Sequence, residues 1–560
     1  MPVSHLAASS VDNRLSDEVE LYQRTYTTLL RSSGEMRLRV LEQTHRAMGS
    51  SLHPLAGAPE PDLGAFIYAV RRLPLGIAGA RQVVLGQELE DLVAAGLPVA
   101  TWTEAEAPAR RRRWYDGGEG VLGCLIASQS DVDDLIPTLV AYQIEWNKLH
   151  AAQRGLSEPV TAPQECAKQL GGTLADWERL QEALGEQFAA TLTKCAESKL
   201  RLGVRMLGGS NVGYARLTRR WWAPVAARLR HEALAERPLY FVSSNTHSLA
   251  NIVSGIARER EPQLLAHVES LPDTDILSEE LQRFRAGESR GSWENFLYAS
   301  ARGYWQRHPE ERQRLEQAAG VTHLKSHSAV HVPAQIMPLS ALSAAALDPR
   351  LGDVSAAALA NSEAVIVNID YPLGLAAYNI LREVAVDSAG LRGIYVLGKA
   401  ATLNADVGDV MISSVIHDEH SRCTYWLDNT FSVSDLAADL RFGTGLDNQR
   451  AVTVKSTFLQ NRSYLDFYYR EAFTVVEMEA GPFCSAVYEL SDPDRHPTAE
   501  AINFSKLGVD LGIIHYASDT PYTQARTLGA RGLDYYGMDS TYAASLAIMR
   551  RILALEGALT

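Results

Sequence analysis

Residues 475–489 read VVEMEAGPFCSAVYE. An apolar strand delivers Glu477, Met478 and Glu479, and the small residues after them (Ala480, Gly481, Ser485, Ala486) open a helix. A short apolar strand running straight into a helix is one unit of an α/β fold. The pattern recurs on both sides of this segment. AVIVNI (364–369) leads into DYPLGLAAY (370–378). GIYVLG (393–398), DVMISSVI (409–416), RAVTVKS (450–456) and GIIHYAS (512–518) are further short apolar runs. The alternation predicts an α/β domain with a central sheet, largely parallel or mixed, over residues 334–560, and a boundary near 333, just behind His331-Val332-Pro333.

Upstream, residues 16–333 read as mainly helical with some strands. Helical spacing of Val19, Leu21, Tyr22, Tyr26, Leu29 and Leu30 predicts a helix from Asp17 to about Met48. VLGCLIA (121–127) and LYFV (239–242) read as strands, the second leading through Ser243-Ser244-Asn245-Thr246-His247 into a helix. Ser130 is placed to cap the helix carrying Leu135, Leu139, Tyr142 and Trp146. Across 560 residues, 53 Lys+Arg face 67 Asp+Glu, a net charge of −14. Such a surface repels polyanions, so no nucleic-acid partner is expected. No run reaches the roughly 18–20 apolar residues of a membrane helix, so no membrane partner is expected either. The N-terminus lacks the pattern of a secretory signal. Five scattered cysteines form neither a disulfide framework nor a metal knuckle, which fits a cytoplasmic protein.

Several motifs read two ways. Arg110–Arg113 could grip phosphate or form a solvated turn. Asp131, Asp133 and Asp134 lack the glycine and terminal glutamate of a calcium loop and suit a first helical turn. GGSNVGYARLTRRWW (208–222) puts glycines before arginines without the GK[ST] of a phosphate loop. His323, His327 and His331 share four-residue spacing with no HExxH base nearby. GIYVLGKA (393–400) imitates GxxxxGK, but Ala400 replaces the required Ser or Thr and the intervening residues are a strand.

Four C-terminal segments together are more specific: DYPLGLAAY (370–378), YVLGKAATLNADVGDVMISS (395–414), VVEMEAGPFCSAVYE (475–489) and IIHYASDTPYT (513–523). In this order they resemble the nucleoside phosphorylase superfamily, which includes purine nucleoside and uridine phosphorylases, methylthioadenosine nucleosidase and AMP nucleosidase. The resemblance covers about residues 360–552. It implies an N-glycosidase acting on a small-molecule nucleoside or nucleotide, with no metal or organic cofactor, in a homo-oligomer. It implies that Asp519, after Ser518, assists the departing purine, and that Glu479 holds the ribose hydroxyls. Met478 would pack on the sugar beside Glu477, and Phe458 would stack on the base. Gly398 and Lys399 occupy the second glycine turn, where Lys399 either contacts a 5′-phosphate or points to solvent. Taken singly, Glu477 and Glu479 also read as a strand edge and Asp519 as a helix cap.

The phosphorylases of this superfamily hold inorganic phosphate with an arginine in the first loop and another before the second glycine turn. Here those stretches are Pro372-Leu373-Gly374-Leu375 and Val396-Leu397-Gly398, without arginine. A guanidinium suits that task because its planar fork donates two parallel bonds to phosphate. Its absence favours water as attacker, hence hydrolysis, with Asp370 as the carboxylate that positions it. Two alternatives remain. One is a phosphorylase whose cations are Lys399 and arginines of the first region or a neighbouring subunit. The other is a non-catalytic nucleotide-sensing or scaffold protein.

Overall fold

The computed structural model describes residues 8–32, 34–388, 390–504, 507–519, 535 and 537–559, and residues 520–523 of the fourth segment lie outside them. Among the described residues the fold is mixed α/β, built on two sheets. Among the described residues no helix is long and apolar enough to cross a membrane.

Among the described residues, the strands from Met36–Arg37 to Gly203–Met206 join in one six-stranded sheet. Gln82–Gly86 pairs in parallel with Val121–Leu125 and Gly203–Met206. The hairpin Thr103–Ala107 and Arg110–Asp116 adds to Val121–Leu125 in antiparallel sense. Helices make up most of the remainder. The expected Asp17–Met48 helix is instead Ala8–Ser32, followed by a short strand, a 3₁₀ turn and Glu42–Ala47. The N-cap of helix Gln129–Gln153 lies two residues ahead of the expected Ser130. Ser128 is its N-cap in a capping box with Asp131, which releases Ser130 for another contact.

The second sheet has eleven strands among the described residues and is mixed, as expected. Leu239–Ser244 lies between Val365–Asp370 and Leu391–Thr402, parallel to both. Ala334–Pro338 and Thr322–Leu324 extend one edge in antiparallel sense. The boundary drawn near 333 is therefore corrected: it falls between two strands of one sheet. The sheet starts after helix Asn211–His231. LYFV reads as a strand locally, but its parallel partners lie more than a hundred residues away, and parallel pairing leaves no hairpin signal.

Toward the other edge the sheet curls back on itself. Asp510–Asp519 pairs with Leu391–Thr402, which pairs with Val475–Glu477. Val475–Glu477 pairs with Gly445–Thr453, that strand with Val410–Asp418, and Val410–Asp418 again with Asp510–Asp519. The ring brings strands from distant sequence into register. Ala401 faces Val476 on one side and Asp519 on the other, so both acidic segments flank the same stretch of one strand.

Side-chain alternation decides which layer covers each face of the second sheet. Tyr240, Val242, Ile366, Tyr395 and Leu397 pack under Leu249, Phe296, Tyr542 and Leu546. Phe241, Val365, Val367, Ile394 and Val396 join a core that also holds Leu135, Trp146, Trp221 and Val83 of the first region. The two regions thus share one apolar core. Trp221 Nε1 donates to the Val332 carbonyl oxygen at 2.7 Å and Trp222 Nε1 to Asp387 at 3.0 Å across the seam.

Candidate active site

A cavity of about 1000 Å³ opens where strands of the second sheet end, roofed by the first region. Open α/β sheets characteristically place ligands at carboxyl ends of strands. Asp370 closes Val365–Asp370, Glu477 closes Val475–Glu477 and Asp519 closes Asp510–Asp519. These three acids, with Lys399, Met478, Glu479 and Ser518, all line the cavity.

A break in register shapes the Ser518–Asp519 corner. Ala400 pairs with Ala517 and Ala401 with Asp519, so Ser518 is the extra residue of a β-bulge. Bulges re-aim side chains beside sites. Ser518 Oγ donates to Asp519 Oδ2 at 2.7 Å and lies 3.2 Å from the Ala400 carbonyl oxygen. Asp519 is buried, at 8% exposure.

Glu477 and Glu479 take different parts. The Glu477 carboxyl accepts from Thr453 Oγ1, from the Glu479 N–H at 2.6 Å and from the Ala480 N–H at 2.7 Å. It is engaged in fixing the turn that starts helix Ala480–Ser491. Glu479 is half-buried beside it and borders the cavity. Burial pushes both carboxyls up from the ordinary glutamate range, and Glu479 is raised further by the neighbouring Glu477. Each carboxyl therefore favours the proton more than an exposed glutamate does.

Two expected contacts lie elsewhere. Phe458 is buried beside Leu52, Ala65, Tyr68 and Ala141. Its ring meets those of His45, His53 and Tyr68 at centroid distances of 5.9, 6.3 and 5.2 Å. It packs against the first region, outside the cavity lining, and the base-stacking role expected of it is corrected. Gly398 also lies off the lining, inside strand Leu391–Thr402, where a Cβ would meet the His515 ring at 3.0 Å. Its neighbour Lys399 faces the cavity. Burial pushes the Lys399 ammonium down; Asp519 opposes this, and Arg72 and Arg110 reinforce it.

The first region contributes the feature that sequence reasoning left open. Arg110–Arg113 form a strand, and Arg110, Arg111 and Arg112 line the cavity together with Arg71 and Arg72 from the end of helix Leu63–Arg72. Arg110 grips Asp134 with Nε at 3.1 Å and Nη2 at 3.0 Å. Arg112 donates to Asp131 and Asp134, both at 2.7 Å. Against the upward push of burial, Arg110 and Arg112 hold Asp134 well below the usual carboxylate range. The acids of 131–134 thus begin a helix and anchor these arginines. Arg111 is ion-paired with Asp370 and donates from Nη2 to the Tyr371 carbonyl oxygen at 2.8 Å. Burial raises the Asp370 carboxyl, and Arg111 opposes that rise.

Asn245 and His247, at the end of Leu239–Ser244, also line the cavity. Asn245 Oδ1 accepts the N–H groups of His247 and Ser248 at 2.9 and 2.7 Å. Burial pushes His247 down to about 3, helped by Arg302 and Arg312, and keeps the ring neutral. The only sequence signal for this pair is a polar run after LYFV. Arg71 and Arg72 carry no signal beyond ending a helix. Of the three evenly spaced histidines, His331 borders the cavity, whereas His323 pairs with Glu316 at 2.5 Å.

Chemically, the lining combines buried acids suited to proton transfer or hydroxyl binding with cations suited to an anion. No curated protein matches the chain. Among solved structures, it is similar to a 5′-methylthioadenosine/S-adenosylhomocysteine nucleosidase from Colwellia psychrerythraea 34H in complex with adenine: 11% identity over 42% of this chain and 88% of that one, TM-score 0.27. The Campylobacter jejuni 5′-methylthioadenosine/S-adenosyl homocysteine nucleosidase is similar at 12% identity over 44% and 94%, TM-score 0.29. A P knowlesi homolog of P falciparum PNP is similar at 15% identity over 34% and 74%, TM-score 0.26. The sequence of residues 38–554 matches DUF6909, a family of unknown function, and the chain belongs to that family.

Proposed function

We propose that the protein hydrolyses the N-glycosidic bond of a purine nucleoside or nucleotide and releases the free base. The observation that carries this reading is the meeting of Met478, Glu479, Asp519 and Asp370, from three separate strand ends, on one cavity. Cleavage of this bond develops positive charge on the sugar and negative charge on the base. Asp519 donates a proton or hydrogen bond to the departing purine, and Ser518 orients its carboxyl. Glu479 accepts from the ribose hydroxyls, while Met478 packs on the sugar. Glu477 acts behind Glu479, holding the turn. Asp370, kept in place by Arg111, positions the attacking water.

A second reading, phosphorolysis, is favoured by the arginines that the first region brings to the cavity. One assay separates the two. The protein is incubated with a nucleoside and nucleotide panel, with and without inorganic phosphate, and free base and sugar products are quantified. Base release independent of phosphate, with free sugar as product, supports hydrolysis. Release that requires phosphate and yields a sugar 1-phosphate moves the assignment to phosphorolysis. No release from any member of the panel rejects both.

A further inference from the structure

We infer that the cavity contains a phosphate subsite formed by Arg72, Arg110 and Lys399, two of whose three cations come from the first region. The inference rests on the glycosidase reading only for what the phosphate belongs to: the substrate's own ester, or a free phosphate ion.

Arg72 and Arg110 are each held by their surroundings. Arg72 is buried, at 5% exposure, with its guanidinium 3.4 Å from the centroid of the Tyr68 ring and Nη1 donating to the Tyr68 carbonyl oxygen at 3.2 Å. Stacking and that bond set the plane of the fork. Arg110 meets Asp134 through one edge, Nε and Nη2. A guanidinium carries five N–H donors, so this pairing orients Arg110 without exhausting it. The Ala109 N–H donates to the Arg71 carbonyl oxygen at 2.7 Å, tying the hairpin tip to the end of the helix that carries Arg72. Lys399 reaches the same cavity from the second sheet.

All three line one cavity, beside Asp519 and Glu479. Arg72 and Lys399 both feel Asp519, both feel Arg110, and Arg110 feels Glu479. Three cations beside one another in a shielded cavity repel, and the nearby acids are shared. Asp134 serves Arg110 and Arg112 together, and Asp370 is engaged by Arg111. A multiply charged oxyanion compensates such a cluster better than one carboxylate does. Arginine forks match its paired oxygens, and lysine adds a point charge. This subsite would replace the cations missing from the Pro372–Leu375 and Val396–Gly398 stretches.

The test measures binding to the full-length protein with four probes: inorganic phosphate, ribose 5-phosphate, adenosine and adenosine 5′-monophosphate. Wild type is compared with Arg72→Met and Lys399→Met, each checked for native thermal unfolding. Should Arg72→Met not fold, Lys399→Gln is the second variant. If the phosphate is the substrate's, the monophosphate binds about ten- to a hundredfold more tightly than adenosine, and the variants lose that preference. If it is a free ion, inorganic phosphate binds and tightens adenosine binding, the monophosphate gains nothing, and the variants lose phosphate binding. Either pattern supports the subsite. Equal binding of every phosphate probe by wild type and variants overturns it. Free base is quantified in the same samples. Phosphate binding without base release would retain the subsite and reject the glycosidase. Base release from adenosine with no phosphate discrimination would do the reverse.

Discussion

Arg111 of the first sheet and Asp370 of the second form an ion pair across the two halves of the chain. The arginine also donates to the Tyr371 carbonyl oxygen at 2.8 Å, so one side chain grips both the carboxylate and the backbone at the end of a central strand. The contact secures the arginine hairpin over the strand ends, and it aligns the carboxylate assigned to water.

Disrupting the pair should affect the reaction more than the fold. Arg111 is 37% exposed, and solvent-screened pairs contribute only about 1 kcal/mol or less. Arg111→Met should therefore move the unfolding midpoint slightly while reducing base release severalfold. A double-mutant cycle with Asp370→Asn reads the coupling directly. A loss of several kcal/mol on removing Arg111 alone would assign the pair to stability instead.

Asp519→Asn keeps the shape and Ser518 contact but removes the ionisable acid. Base release should fall by about 10²–10⁴, with binding of a non-reactive nucleoside analogue retained. Glu479→Gln should instead raise KM as well as lower kcat. Steady-state kinetics of both variants beside their melting curves checks the division of labour.

The raised carboxyls of Glu477 and Glu479 predict a pH dependence of stability. An acid whose pKa is higher in the folded state binds more protons there than in the unfolded chain. Its stabilising contribution is complete below the ordinary glutamate value of 4.5 and is lost as pH rises through the raised folded value. Urea midpoints between about pH 5 and about pH 8 should therefore fall less steeply in Glu479→Gln than in wild type. Parallel slopes would show that the pair carries no extra proton.

Gly374 tests the seam below the cavity. Its φ is +52°, and an added Cβ would lie 2.2 Å from Ser130 Oγ and 2.6 Å from Ser130 Cβ. That hydroxyl accepts the Leu375 N–H at 2.9 Å, which opens helix Leu375–Asp387. Gly374→Ala should destabilise by about 2–4 kcal/mol from backbone strain and overpacking together, read by urea denaturation. Unchanged stability would mean that the loop yields easily.

Phe458→Ala should cost about 3–5 kcal/mol as a buried-ring deletion, without a selective loss of purine affinity in the protein that remains folded. A specific rise in KM at unchanged stability would restore the ring to the base.

Much of the second sheet was legible because its strands carry short apolar runs, three of which lead into Asp370, Glu477 and Asp519 at the strand ends. Asp370, Glu477 and Asp519 were legible for the same reason: they are strand-terminal acids. Phe458 was misplaced because spacing from Met478 reports distance along the chain, while its neighbours Tyr68, His45 and His53 come from the first region. The 333 boundary failed similarly, since a strand's sheet membership depends on partners elsewhere. Arg110–Arg113 read more readily as a solvated turn, because a charged run does not state whether acids will meet it in three dimensions.

By itself, the sequence determined the α/β alternation of the second sheet and the acids at its strand ends. These follow from the periods of apolar burial and from turn chemistry, which act over a few residues. Only the tertiary structure decided that Arg72, Arg110 and Arg111 would stand over Asp519 and Asp370. Their placement depends on the shared apolar core, on Asp134 for Arg110 and on Asp370 for Arg111, whose charges bind the arginines only once folding has brought them together away from water. Such pairing is set by distance in space, and nothing in local spacing records it.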